Sequence, residues 1–280
     1  MRTIIATVHF GDKLELTKEF VKRIQSIETF SELVIANNNK GELKLNMLNV
    51  RVIENGRNLG WGGGINSLLP YIFSKKPDFI FIVNNDCFIE KPILTKMANF
   101  LQKNEKIGLV SPVLKFNTSG ETIFDLGGFV KESGEILHKN VKAIGDMKPQ
   151  RIDFSGTLLI RTSLLKKIKG FDERFFLYME DVDLCQRAKE EGFYAYIYPK
   201  TVLDHLGSAT IGKESRIAIY HQTRSGILFV LKHFDVSSRS IPFFLFQLKT
   251  IIKRLKNPST GIYGLIAIAD IFMGKIRFDK

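Results

Sequence analysis

Apolar and polar positions fall into alternating blocks along the first half of the chain. Arg2–Phe10, rich in Ile, Val and Thr, reads as a buried strand, and Glu32–Ala36 and Val50–Ile53 read as two more. Phe79–Val83 is an unbroken apolar run, the pattern of a strand central in a sheet and covered on both faces. Between these runs the period changes to that of a helix. Over Leu14–Ile27 the residues Leu16, Phe20, Val21, Ile24 and Ile27 share one face. Asn66–Phe73 predicts a short helix, and Lys91–Asn104 another with Pro92 near its first turn. Such alternation predicts an α/β fold with a mostly parallel central sheet flanked by helices.

The middle of the chain is less regular. Ile107–Leu114, Gly127–Val130, Phe154–Ile160 and Phe193–Tyr198 read as strands. Ser163–Lys169 reads as a helix stopped by Gly170, and Glu180–Glu191 as one stopped by Gly192. From Ile217 onward the character changes to apolar helices carrying Lys and Arg. In Phe243–Lys256, Phe244, Leu245, Leu248, Ile251, Ile252 and Leu255 gather within roughly a third of a helical wheel, with Lys249, Lys253, Arg254 and Lys256 off that face. A basic amphipathic helix suits an anionic membrane surface, and packing on the rest of the chain or a homodimer contact would use the same pattern. Gly261–Gly274 is apolar apart from Asp270 but too short to span a bilayer.

Composition narrows the class. The 280 residues are 44% hydrophobic and 25% charged, as in an ordinary globular chain. The net charge of +12 favours an anionic partner, and half of it lies between Lys232 and Lys280. Aromatic and basic residues are not interleaved there as a nucleic-acid surface would require. Cys87 and Cys185 cannot build a disulfide framework, and the opening residues lack the pattern of a secretory leader, so a cytoplasmic location is expected.

In an open α/β sheet, ligands bind beyond the carboxyl ends of the strands. Polar clusters follow each predicted strand: His9-Phe10-Gly11, Asn37-Asn38-Asn39, Asn58–Gly64 and Asn84-Asn85-Asp86. The glycine-rich run lies at the wrong offset for a dinucleotide fingerprint and lacks the Lys-Ser/Thr of a phosphate-cradling loop, which argues against a nicotinamide-dependent oxidoreductase. By itself it also fits a tight turn. Asp86 between amides suits a divalent ion shared with phosphates, and equally an Asx turn. Glu180-Asp181-x-Asp183 stands at a predicted helix start, where acids complement the helix dipole. Three acids in four residues repel one another, which raises their pKa values and suits a general base. His205, after the last strand, could be structural or a nitrogen ligand.

Taken in order, these clusters resemble the inverting glycosyltransferases of family 2, which have the GT-A fold, and within them the bacterial rhamnosyltransferase-like enzymes. The resemblance runs over about residues 3–235. It rests on Asn58–Asn66, Val83-Asn84-Asn85-Asp86, Ser155–Arg161 and, most specifically, Gly170-Phe171-Asp172-Glu173-Arg174-Phe175-Phe176-Leu177-Tyr178-Met179-Glu180-Asp181-Val182-Asp183 and on to Arg187. Tyr220 and Arg224 also stand where the family has similar residues.

The resemblance implies a domain over 1–235, with a nucleotide-sugar half to about 115 and an acceptor half beyond, followed by a helical tail over 236–280. It implies Asp181 as the base on the acceptor hydroxyl, with Glu180 as the alternative. Asp86 would hold Mg²⁺ or Mn²⁺ on the donor diphosphate, with His205 as a further ligand. The donor would lie against His9, Phe10, Asn37, Asn58, Gly60, Trp61, Gly62, Asn84 and Asn85, and the acceptor against Phe176, Tyr178 and Asp183. The family's usual Asp is Asn at position 37. The partners implied are a nucleotide sugar (dTDP-rhamnose first, a UDP-hexose second), a growing or lipid-linked glycan, and the inner face of an anionic membrane. A non-catalytic nucleotide-sugar-binding scaffold is the rival reading, and the intact acidic cluster argues against it.

Overall fold

The computed structural model describes residues 1–45, 47–118, 120–206, 215–235 and 240–276. β1 (Thr3–His9) is buried along its whole length and pairs in parallel with β2 (Glu32–Asn37) and with β4 (Phe79–Ile82). β3 (Val50–Glu54) extends the sheet beyond β2, again in parallel. On the other side of β4 the order continues through β10 (Leu158–Arg161), β6 (Ile107–Thr118), β11 (Tyr194–His205) and β5 (Cys87–Phe88). Only β10 and β5 run against the rest of this path, so the predicted mostly parallel sheet is what forms. β7 (Glu121–Val130) and β8 (Ile136–Val141) add an antiparallel extension at β6, and β9 (Gln150–Ile152) pairs with β11.

Successive side chains of a strand point to opposite faces, so each buried strand feeds two cores. On one face Ile5, Leu33, Ile35 and Phe81 meet α1 (Leu14–Ile27) and α3 (Leu94–Gln102). On the other, Ile4, Ala6, Val34 and Ile80 meet α2 (Gly60–Ser74), α4 (Thr162–Lys167), α5 (Glu180–Glu190) and α6 (Arg216–His233).

Two local expectations are corrected. The helix expected at Asn66–Phe73 begins at Gly60, so the glycine run is its first turn rather than a loop. Contacts explain the glycines: a Cβ on Gly60, whose φ is +73°, would lie 2.2 Å from the Phe176 carbonyl oxygen, and one on Gly64 would lie 2.8 Å from Val8. The strand expected at Phe154–Ile160 starts only at Leu158. Phe154 instead bridges to Gly128, and the turn after it borders the cleft described below.

The tail forms α7 (Ile241–Arg254) and α8 (Pro258–Phe272). Gly261, Gly264, Ala267 and Asp270 make the buried stripe of α8, small enough for close helix packing, and the Tyr220 hydroxyl donates to the Asp270 carboxylate at 2.9 Å. α7 buries Phe243 and Ile251. The apolar face expected on α7 is therefore divided: Ile251 turns inward, while Leu245, Leu248 and Ile252 are exposed. No helix among the described residues is long and apolar enough to cross a membrane.

Candidate active site

A cleft of about 1200 Å³ opens where β1, β2, β4 and β11 end. Phe10, Asn38, Asn84, Asn85, Asp86 and His205 reach it from those strand ends, and Asn58, Gly60 and Trp61 from the start of α2. The opposite wall is the segment Phe176–Val182, and α6 and α7 close one end with Gln222, Gln247 and Arg254.

Asp86 and His205 are far apart in sequence and adjacent in space. β5 and β11 pair His205 with Cys87, which brings His205 Nε2 to 3.5 Å from Asp86 Oδ1. Asn84 Nδ2 lies 3.3 Å from the same ring nitrogen. Burial pushes the imidazole down, against the fields of Asp86 and Asp125, which favours the neutral ring with a lone pair to give. Cys87 Sγ also lies within 4.8 Å of the two. Its thiol is fully buried and burial pushes its pKa well up, so it stays protonated and is a poor ligand. One carboxylate and one neutral imidazole fit a divalent cation that takes its remaining ligands from phosphate and water.

The donor-side expectations divide. Phe10, Asn58, Gly60, Trp61, Asn84, Asn85 and Asp86 line the cleft. His9 does not: it is buried, and its Nδ1 pairs with the Thr17 hydroxyl at 2.8 Å, which in turn accepts from Asn85 Nδ2 at 2.8 Å. His9 therefore braces Asn85 through α1. Gly62 is packed against Phe171, 3.0 Å from where its Cβ would be. Asn37 is spent internally, its amide donating to the Glu54 carboxylate and to the Gly41 carbonyl. Asn38, one residue on, is the amide in the cleft; it donates to the Gly60 carbonyl at 2.8 Å and accepts from Asn55.

The acidic wall is built by a kink. Tyr178 and Met179 both have positive φ, +64° and +67°, and such non-glycine conformations cost roughly 1–3 kcal/mol each. The kink turns the chain into α5 with Tyr178, Glu180 and Asp181 lining the cleft. Glu180 is buried, and its Oε2 has no hydrogen-bond partner. Burial, with the Asp181 charge beside it, pushes its carboxyl up to about 8. Asp181 is half-buried and also raised by burial, but its Oδ1 accepts from the Val182 amide at 2.9 Å, which favours its anion.

Asp183, expected at the acceptor, faces away from the cleft. It is completely buried, and its carboxylate pairs with Arg187 at 2.8 Å, with His233 Nε2 at 2.7 Å and with Lys232. Burial opposes its ionisation, but His233, Arg187 and Lys232 together hold its pKa below the usual carboxylate range. Lys232 also reaches Asp172 at 2.7 Å, Arg224 donates to the Arg174 carbonyl, and Ser225 donates to the Leu177 carbonyl. The run Gly170–Arg187 is thus clamped from behind by α6. Phe176 lines the cleft and stacks on His221, ring centroids 5.0 Å apart.

Residues of the middle region and the C-terminal helices that sequence reasoning did not place at the site also reach the cleft. Glu135 and His138 arrive on the β7–β8 hairpin, and Gln222 and Arg254 from α6 and α7, where Arg254 donates to Gln222 at 2.8 Å. No motif marked them. Gly207 and Ser208, which follow His205 in sequence, lie outside the described residues.

A mixed sheet with this order, a metal-capable pair at its strand ends and a carboxylate wall opposite define a GT-A fold. Among solved structures, GalNAc-T7 with UDP, GalNAc and Mn²⁺ superposes with a TM-score of 0.60 at 13% identity, covering 80% of this chain and 47% of that one. Residues 1–349 of S. aureus TarS in complex with UDP give 0.56 at 17% identity, covering 85% and 67%. The family profile described as glycosyltransferase like family 2 matches residues 42–227, and the chain belongs to that family. Among curated relatives, the N-acetylglucosaminyl-diphospho-decaprenol L-rhamnosyltransferase of Mycobacterium tuberculosis is 24% identical over 201 residues, 62% of this chain and 65% of that protein. The low-salt glycan biosynthesis hexosyltransferase Agl10 of Haloferax volcanii is 23% identical over 180 residues, 62% and 57%. The matches span less than two thirds of either relative's length.

Proposed function

We propose that this chain is an inverting glycosyltransferase that moves a sugar from a nucleotide diphosphate to a hydroxyl of a growing or lipid-linked glycan. The observation that carries the reading is one cleft holding the Asp86–His205 pair and the Glu180–Asp181 pair. Inversion is an in-line displacement: the acceptor oxygen bonds to the anomeric carbon as the bond from that carbon to the diphosphate oxygen breaks. Asp181 takes the proton of the acceptor hydroxyl. Glu180, neutral near pH 7, offers a hydrogen bond to a sugar oxygen and leaves Asp181 as the anionic member of the pair. Asp86 and His205 would hold Mg²⁺ or Mn²⁺, which supplies charge stabilisation for the leaving diphosphate. Phe176 and Tyr178 line the acceptor end.

Rhamnose is the first donor sugar in this reading, supported by the name of the mycobacterial relative; that name also supports a diphospho-lipid acceptor. A UDP-hexose is the second, supported by the haloarchaeal hexosyltransferase and by UDP in the two solved neighbours. The exposed Leu245, Leu248 and Ile252 of α7 and Ile262, Leu265 and Phe272 of α8, beside Lys249, Lys253 and Lys256, favour a peripheral seat on an anionic membrane. Donor binding is tested by thermal shift with dTDP-rhamnose and UDP-hexoses, each with and without Mn²⁺. The true donor should raise the melting temperature in a concentration-dependent way, and more so with the ion. Asp86→Ala should remove the ion-dependent part, and equal shifts in parent and variant would exclude Asp86 as a ligand.

A further inference from the structure

The β7–β8 hairpin brings to the cleft a further ionisable side chain, His138, backed by Asp125, to which the reading above gives no task. Asp125 on β7 and His138 on β8 lie to either side of the register shift between Asp125 and Gly128. His138 Nδ1 lies 3.1 Å from Asp125 Oδ2. The other carboxylate oxygen, Oδ1, accepts from the Gly127 amide at 2.7 Å, and Gly127 has a φ of +78°. The carboxylate is therefore fixed by backbone on one side and fixes the ring on the other. The imidazole also stands edge-on to Phe154, centroids 5.1 Å apart at 86°.

Phe154, Gly156, His138 and Asp181 line the same cleft, and a Cβ on Gly156 would lie 3.8 Å from Asp181 Oδ2. Burial, and less strongly the Asp125 charge, work against ionisation of Asp181, and His138 is the cation whose field acts, more strongly than that of Asp125, in the other direction. Asp125 first, and Asp181 with it, favour the protonated ring in return. The other charged groups nearby are engaged elsewhere: Glu135 with Lys131, Asp153 with the Val130 amide and Lys189, and Lys139 with Gln150.

We propose that His138, oriented by Asp125, is a positioning residue for Asp181, its imidazolium holding that carboxylate in the anionic form that accepts the acceptor's proton. This rests on Asp181 being the base. It gives the β7–β8 hairpin a part in the chemistry rather than in substrate contact alone.

Two measurements test it. The first needs no substrate: the ring of His138 is titrated by NMR, its signal identified by its loss in His138→Gln. Its midpoint should lie above that of an ordinary imidazole and fall by about 0.5–1 pH unit in Asp181→Asn. An unchanged midpoint overturns the pairing, whatever the activity. The second is the pH dependence of kcat/KM in transfer from dTDP-rhamnose or a UDP-hexose to an N-acetylglucosaminyl-diphospho-lipid. His138→Gln should move the acid limb up by about one pH unit, a roughly tenfold loss on that limb with much less loss above it. His138→Lys, which keeps the charge, should restore most of the limb. A uniform loss with the limb unmoved overturns the proposal and makes His138 an acceptor contact. A shifted NMR midpoint with no transfer from any donor would instead overturn Asp181 as the base while the His138–Asp181 pair stands.

Discussion

Glu180 and Asp181 are neighbours in sequence with different surroundings, and in the proposed mechanism the difference separates their roles. Glu180 is buried with an unpartnered oxygen and a carboxyl pushed up to about 8, whereas Asp181 is half-buried and its anion is supported by a backbone amide. Asp181→Asn keeps the shape and removes the proposed proton acceptor. It should leave donor affinity by calorimetry within a factor of a few while lowering kcat about 10²–10⁴-fold. Glu180→Gln should cost less; the reverse order would make Glu180 the base. Glu180 also carries a stability signature. Between the ordinary glutamate range and pH 8 the folded protein keeps a proton that the unfolded chain has lost, so this residue lowers stability as pH rises through that window. Glu180→Gln abolishes the effect. Its melting temperature relative to the parent should therefore climb between pH 5 and pH 8, by about 1–3 kcal/mol or roughly 2–10 °C. A constant difference across that range would show that the Glu180 carboxyl is not raised by folding.

Among the elements, α5 and α6 form the unit on which the acidic wall depends. Asp183 at the first turn of α5 holds Arg187, Lys232 and His233 together, and Lys232 ties in Asp172. Removing one member of a buried ionic cluster strands the others, at a cost of about 3–5 kcal/mol. Asp183→Ala should accordingly lower the melting temperature by roughly 6–20 °C. Some activity should survive at low temperature, because Asp183 does not touch the cleft. Loss of activity with unchanged stability would return it to the acceptor site. Because its pKa is depressed, the stability it contributes is present above the ordinary Asp range and is lost as pH falls through its folded value. The difference between parent and variant should then shrink in acid. The start of α2 is the second such unit. The Trp61 amide donates to the Phe176 carbonyl at 3.2 Å, and Gly60→Ala would drive a methyl into that same carbonyl at a positive φ. The start of α2 and the Phe176 wall of the cleft therefore meet at this backbone contact, and Gly60→Ala should weaken binding of the proposed donor and acceptor together.

For the whole molecule, the decisive feature is the placement of the tail. α7 and α8 cover α6 with one side and present Ile241, Leu245, Leu248, Ile252, Ile262, Leu265 and Phe272 on the other. Phe246, Gln247, Thr250 and Arg254 of the same α7 line the cleft, so the exposed apolar side and one wall of the cleft share one helix. A lipid-linked acceptor held at a membrane would meet the cleft from that direction. The protein should float with anionic vesicles at low salt and release as salt rises. Leu248→Glu with Ile252→Glu should abolish flotation while leaving the melting temperature nearly unchanged. A parent that ignores vesicles and sediments as a dimer, dissociated by the same pair, would make this face a contact between copies.

What the sequence by itself determined follows from local pattern. The short Ile- and Val-rich runs, nearly unbroken in β1, β2 and β4 because both faces of the sheet are covered, specify β1, β2, β3 and β4, and the helical spacing over Leu14–Ile27 specifies α1 to the residue. The polar strand ends announced the cleft, and the run Gly170–Arg187 announced its acidic wall. The sequence could not decide which of several adjacent polar residues faces inward. Asn37 turns to Glu54 and Asn38 to the cleft, because alternate residues of an extended chain point opposite ways. Asp183 turns its back on Asp181 because two helical residues are 200° apart at 100° per residue. Nor could it decide that Asn58–Gly64 begins a helix, since only the approach of Phe176 and Val8 makes the glycines necessary. The pairing of Asp86 with His205 and the arrival of His138 in the cleft that Asp181 lines belong to the tertiary structure alone. They depend on strand order and on a hairpin register shift, and no short stretch of sequence encodes a contact between residues so far apart along the chain.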